Sequence, residues 1–224
     1  MAVARSATST AVHSPIGEPA VKIFGMPRRR TLISSPLTWK LGPDLVRPPL
    51  IPVLPDRGGT QLKVPRAVLL VDTREQNPFD FSRFEAWFAA VEKRPLAIGD
   101  YAIAGLESDC VCERKDLSDL VHSLTTERSL FIKRLRAMSA YPRRLLVITT
   151  SLSQIKSPYA HSPANPNRIL QSLIAVLAGW NVPFVTTDTH HLGEEIVASY
   201  LYQVHLYAWL EKNGYGRFLS DDDL

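Results

Sequence analysis

The chain has 224 residues, 45% of them apolar and 21% charged, with a net charge of +4, which suits one domain or two small ones with a substantial buried core. No apolar run approaches the ~20 residues needed to span a bilayer, and the N-terminus lacks the compact apolar stretch of a secretory signal. A membrane or secreted protein is therefore not expected; an intracellular one is, in the cytoplasm or nucleoid of a prokaryote or the nucleus of a eukaryote.

Residues 1–66 hold ten of the seventeen prolines, and their ten Lys/Arg against three Asp/Glu give a charge of +7. This reads as a Pro-rich basic extension, largely irregular or disordered. The remaining residues carry sixteen basic and nineteen acidic side chains, a balance of −3. A basic tail on a near-neutral domain suits a polyanion, because neutralised phosphates release counterions; a solvated tail without a partner is the plain alternative. The first 17 residues lack acids and are rich in Ser and Ala, a faint likeness to a transit peptide without its amphipathic repeat. Two short apolar pieces, residues 21–24 and 50–54, are candidates to dock on a domain. Arg28-Arg29-Arg30 suits DNA contact or a nuclear signal.

From Ala67 the texture changes to a domain that the sequence places at residues 67–214, followed by an acidic tail over residues 215–224. Residues 68–71 form a short apolar run suited to a buried strand. Phe81, Phe84, Phe88 and Val91 recur at helical spacing, so a helix is predicted, ended by Pro95. Residues 96–103 and 110–115 read as two strands joined through the hairpin loop Gly105-Leu106-Glu107-Ser108. In the second of these strands Cys110 and Cys112 share a face. They are ill placed for a disulfide and have no second pair for zinc, so both read as packing residues in a reducing interior. A helical stretch follows from Asp116 to about Ala140, broken at Thr125-Thr126. Residues 145–149 are another buried strand. Asn165-Pro166 starts a helix, with Asn as cap and Pro at the first position, running to about Leu177. A strand over residues 183–187 and a long helix over residues 191–212 close the domain. This order predicts an α/β domain with a mixed central β-sheet flanked by helices.

Acids inside apolar strands carry the chemistry, because a buried carboxylate is costly unless paired or bound to metal. Asp72 ends the first predicted strand, Asp100 sits in the second and Glu113 in the third. Carboxylate oxygens are the preferred ligands of Mg²⁺ or Mn²⁺. Glu113 and Lys115 share a strand face, with Arg114 on the other. An acid and an ammonium side by side suit phosphodiester hydrolysis, although Glu-x-Lys alone equally describes a surface pair.

Val71-Asp72-Thr73-Arg74-Glu75, then Gly99-Asp100-Tyr101, then Glu113-Arg114-Lys115 followed by Asp119, together resemble the XPF-type structure-specific endonucleases. Their signature is G-D, a variable gap and E-R-K-x-x-x-D, with an upstream V-D-x-R-E. The resemblance implies the restriction-endonuclease-like PD-(D/E)xK nuclease fold and a metal-dependent DNA endonuclease active in repair or recombination. It implies Asp100 and Glu113 as principal metal ligands, Asp72 as a further acid of the metal cluster, and Lys115 as the catalytic lysine. Arg74, Glu75, Arg114 and Asp119 become supporting residues of the same pocket. Asp119 also suits the first turn of a helix, where acids meet the helix dipole. The implied substrate is branched, flapped or junction DNA. Family members commonly add a tandem helix-hairpin-helix domain after the nuclease domain. Here the basic extension or a partner protein is expected to supply that grip.

Arg128, Lys133, Arg134 and Arg136, with Arg143 and Arg144, form a basic cluster after the motif. It reads either as a solvated helix face or as an edge that tracks phosphates. His122, His161, His190, His191 and His205 lack metal-ligand spacing. The last helix carries Ile196, Tyr200, Val204, Tyr207 and Trp209, which suits core packing or a homodimer or heterodimer interface. Two rival readings remain: a non-catalytic scaffold of the same fold, and another PD-(D/E)xK enzyme such as a junction resolvase or restriction-type nuclease.

Overall fold

A computed structural model describes residues 64–214, together with the backbone of two short strands, β1 (Leu54–Pro55) and β2 (Gln61–Leu62), which pair antiparallel. The pieces at residues 21–24 and 50–53, the Arg28-Arg29-Arg30 run and the acidic tail lie outside the described residues.

Six strands form the central sheet: β3 (Ala67–Asp72), β4 (Phe88–Arg94), β5 (Tyr101–Ile103), β6 (Cys110–Lys115), β7 (Arg143–Ile148) and β8 (Phe184–Thr186), in the spatial order β4-β3-β5-β6-β7-β8. β3 pairs parallel with β4 and antiparallel with β5, β5 is antiparallel to β6, and β6, β7 and β8 run parallel. The sheet is therefore mixed, as expected, with antiparallel pairing confined to β5.

Helices α1 (Leu117–Thr125), α2 (Arg128–Met138) and α4 (Pro166–Trp180) supply Leu120, Leu135 and Leu173 to one buried cluster, together with Val111, Leu146 and Ile148 of the sheet. α5 (His190–Lys212) supplies Val197, Ala198, Leu201 and Val204 to the other, against Cys110, Cys112, Leu145 and Val147. The alternation of strand side chains between the two clusters is the period-two pattern of a sheet covered on both faces. Ile196 and Tyr200 also pack on the second cluster, so with Val204 three of the five apolar residues noted on α5 serve the core. No helix among the described residues is long and apolar enough to cross a membrane.

Local chemistry explains most boundaries. Asp116 caps α1 by accepting from Asp119 N, and Asn165 caps α4 with Pro166 at its first turn. The helical stretch breaks between Thr125 and Arg128. A one-turn helix, α3 (Leu152–Ile155), begins at a Ser151/Gln154 capping box that the periodicity did not reveal. Both cysteines are free and buried, and burial pushes the Cys110 thiol up to about 11, as befits packing groups.

Two expectations need correction. The helix predicted from Phe81, Phe84, Phe88 and Val91 is instead a 3₁₀ turn over Ser82–Phe84 followed by strand β4. Phe81 takes a left-handed φ of 57°, its N–H donating to the buried Glu194 at 2.7 Å. Phe84 and Trp87 then bury as an edge-to-face pair 4.9 Å apart. The aromatic spacing is met by a turn, and residues 88–94 satisfy their backbone by pairing with β3. The second correction is that Asp100 lies just before β5 rather than inside a strand.

Candidate active site

The strand ladder places the motif residues side by side. Asp72 N donates to Asp100 O at 2.8 Å, and Asp100 N donates to Cys112 O at 2.8 Å. These two bonds align the end of β3, the turn before β5 and the middle of β6. Gly99 makes this approach possible. It has φ +78°, and a Cβ there would fall 2.2 Å from Val111 Cγ2 and 2.8 Å from Cys112 O. Only glycine fits both the backbone and the space.

A cleft of about 500 Å³ opens over this junction, lined by Asp72, Arg74, Glu75, Asp100, Arg114, Lys115, Asp119 and Arg134, among others. Seven of the eight residues expected to form the catalytic set line the cleft; the eighth, Glu113, is fully buried and meets two lining residues, Lys115 and Arg134.

The carboxylates differ sharply in their partners. Asp72 accepts Arg74 Nε at 2.8 Å and Leu96 N at 3.1 Å. Glu75 accepts Arg114 Nη2 at 2.8 Å and Asn77 N at 2.9 Å. Arg114 also lies over the Phe79 ring, on the sheet face opposite Lys115, which lies over Phe131. Asp100 Oδ2 accepts Arg114 N at 2.7 Å. Burial, and then the neighbouring charge of Glu113, push the Asp100 carboxyl up to about 8, so the two acids resist ionising together. Glu113 Oε1 receives Lys115 Nζ at 3.2 Å and Arg134 Nη1 at 2.9 Å. Glu113 Oε2 is buried and has no hydrogen-bond partner. Asp119 sits in the first turn of α1, as its helical reading expected, and also lines the cleft.

Two acids whose charges oppose each other, one of them with an orphaned buried oxygen, suit a hard divalent cation, whose charge would favour both ionised forms. Among the described residues no three His, Cys, Asp or Glu side chains come close enough to hold an ion. Asp72, expected in a three-acid cluster with Asp100 and Glu113, is tied to Arg74 and Leu96. Mg²⁺ does not need such a cage, since it keeps several waters and binds through one or two carboxylates. Asp100 and Glu113 are the pair that could hold it.

Of Arg128, Lys133, Arg134 and Arg136, expected as a DNA-tracking edge, only Arg134 lines the cleft. Arg128 donates to Leu124 O and Ser172 Oγ, while Lys133 and Arg136 are exposed elsewhere on α2. Arg143 pairs with Glu211, and Arg144 caps carbonyls of Tyr141 and Asn181. Sequence reasoning missed that Arg134 reaches Glu113; its place three residues after the buried Phe131 was the available signal. His122 and Glu127, which also line the cleft, carry no motif that would have found them.

Comparison with known proteins identifies the family and the fold. The chain matches the ERCC4 domain over residues 71–200. No curated protein sequence matches. It is similar in structure to XPF from Aeropyrum pernix, at 16% identity and a TM-score of 0.50, covering 61% of each chain. A structure of XPF from Aeropyrum pernix in complex with DNA matches at 17% identity and a TM-score of 0.49, covering 64% of this chain and 66% of that one. The chain thus spans about 61% of the length of the first of these, and the likeness concerns the fold. The ERCC4 match covers more than half of the sequence and includes every motif residue of the cleft, so the chain belongs to the ERCC4 domain family and carries an XPF-type nuclease domain.

Proposed function

We propose that this chain is a divalent-metal-dependent DNA endonuclease, with Asp100 and Glu113 as the ligands of Mg²⁺ or Mn²⁺. The observation that carries the reading is Glu113: a fully buried carboxylate with one oxygen unpartnered, beside a second acid and a lysine at the wall of an open cleft. A buried charge with a free oxygen is expensive, and such groups cluster at functional sites.

A bound Mg²⁺ or Mn²⁺ supplies Lewis acidity, acidifying a water and drawing charge from phosphate oxygens. The chain's own residues do the rest. Lys115 is held by Glu113 on its strand. It orients the attacking water and stabilises the negative charge that grows on the phosphate. Arg114 ties Glu75 to the back of the site, and its backbone N–H fixes the Asp100 carboxylate. Asp72 and Arg74 brace the turn before Leu96. Water attacks phosphorus and gives up a proton to solvent, the P–O bond to the leaving sugar oxygen breaks, and that oxygen takes a proton from solvent.

The family likeness supports branched, flapped or junction DNA as substrate and a role in repair or recombination. It also supports pairing with a second nuclease-fold subunit, or with a partner that brings a helix-hairpin-helix module. To test the reading, purified protein is incubated with labelled flap, fork, junction and linear duplex DNA in Mg²⁺, Mn²⁺ or EDTA, beside Glu113→Gln. Cutting of a branched substrate is expected with metal and wild type only. A wild type that cuts nothing with either metal points to a scaffold subunit, and equal cutting by the variant removes Glu113 from the chemistry.

A further inference from the structure

Arg134 stands apart from the motif. It comes from α2, 21 positions after Glu113, and its side chain is 49% exposed where that of Glu113 is 0%. Its Nη1 meets the same oxygen, Oε1, that Lys115 Nζ meets, at 2.9 and 3.2 Å respectively. Two cations thus converge on one oxygen of one carboxylate, while Oε2 has no partner at all. One positive charge is enough to neutralise Glu113. Lys115 is two residues away on the same strand and half-buried, so it belongs to the wall. Arg134 reaches in from the rim on a long side chain that can swing into the cleft it lines.

We propose that Arg134 is an exchangeable counter-ion of Glu113: it competes with a divalent cation for that carboxylate and, once displaced, turns its guanidinium to a backbone phosphate of the DNA. The inference rests on the metal-dependent DNA reading of this cleft and adds the element that couples its two ligands. The guanidinium fork suits a carboxylate and a phosphate equally well. A unit charge a few ångströms from the ion opposes metal binding, so moving it to the phosphate makes metal and DNA bind cooperatively. By linkage, each ligand then tightens the other by the same factor.

Calorimetric titration of Mn²⁺ into wild type, Arg134→Gln and Arg134→Lys without DNA tests the competition. Loss of the charge tightens Mn²⁺ binding by on the order of fivefold to tenfold in Arg134→Gln, while Arg134→Lys, which keeps it, stays near wild type. Fork-DNA affinity is then measured by anisotropy across a salt series, with EDTA or with Ca²⁺ as a non-hydrolytic substitute. Wild type gains about one phosphate contact on adding Ca²⁺, a salt slope steeper by roughly 0.9, and Arg134→Gln gains none. If wild type binds no Mn²⁺, the metal-dependent reading of the site fails and takes this proposal with it. If wild type binds Mn²⁺ but Arg134→Gln binds it equally or more weakly, Arg134 merely positions Glu113, and the counter-ion proposal alone is overturned. The wild-type slope needs no variant, so an unchanged slope with Ca²⁺ also overturns release of the guanidinium even if a substituted chain fails to fold.

Discussion

The two walls of the cleft are built from the same residue types and behave differently. On the β3 wall Asp72 has a partner on each oxygen, Arg74 on one and Leu96 N on the other, and Glu75 holds Arg114 and Asn77 N on Oε1. On the β6 wall Glu113 keeps a buried oxygen free, and beside it Asp100, just before β5, is pushed toward its neutral form. A buried carboxylate with all its bonds made is a strut, whereas one with bonds missing is poised for a ligand. The difference teaches that membership in a motif does not assign a role, and that the partners of each oxygen do.

Substitutions can break or sharpen this contrast. The largest effect is expected on the β6 wall, where Glu113→Gln or Lys115→Ala should lower the cleavage rate by on the order of 10²- to 10³-fold, the usual loss for a group that stabilises developing charge. Single-turnover rates at saturating DNA measure this, and thermal melts should show much smaller changes than the rates. Gly99→Ala attacks the close approach of the Asp100 turn to β6. A side chain at φ +78° that also collides with Val111 and Cys112 should cost about 2–5 kcal/mol of stability, read from denaturant midpoints. Asp72→Asn tests the saturated wall. It weakens the hold on Arg74 and the buried Leu96 N–H, so a loss of about 1–3 kcal/mol is expected, with the metal concentration for half-maximal cleavage left nearly unchanged. If that concentration rises tenfold instead, Asp72 binds the ion and the contrast between the walls collapses. The smallest effect belongs to Asp119→Asn, at the exposed rim. Stability should stay within about 0.5 kcal/mol, and cleavage should fall only a few-fold.

Basic residues sharpen the same lesson. Arg128, Lys133, Arg134 and Arg136 looked alike as a charged run along one helix. The fold sends Arg128 to Ser172 on α4 and leaves Lys133 and Arg136 outside the cleft, so only Arg134 meets an acid of the site. Charge patterning finds a basic helix, and a contact over a long sequence separation decides which of its members matters.

What the sequence determined by itself was whatever depends on neighbours along the chain. Alternation marked residues 110–115 as a strand, and that strand puts Glu113 and Lys115 on one face and Arg114 on the other. Capping chemistry marked Asn165-Pro166 as a helix start, and the order of short motifs marked the acids and the lysine of the cleft. Only tertiary structure decided the rest. Residues 88–94 became an edge strand because β3 offered them backbone partners, overriding a helical spacing of aromatics that a turn could bury equally well. Asp72 has a partner on each oxygen and Glu113 keeps one oxygen without, because Arg74, Leu96 and Arg134 arrive from different distances in the chain. Backbone preference and periodicity are local properties, but the saturation of a buried carboxylate depends on which groups the fold brings to each oxygen.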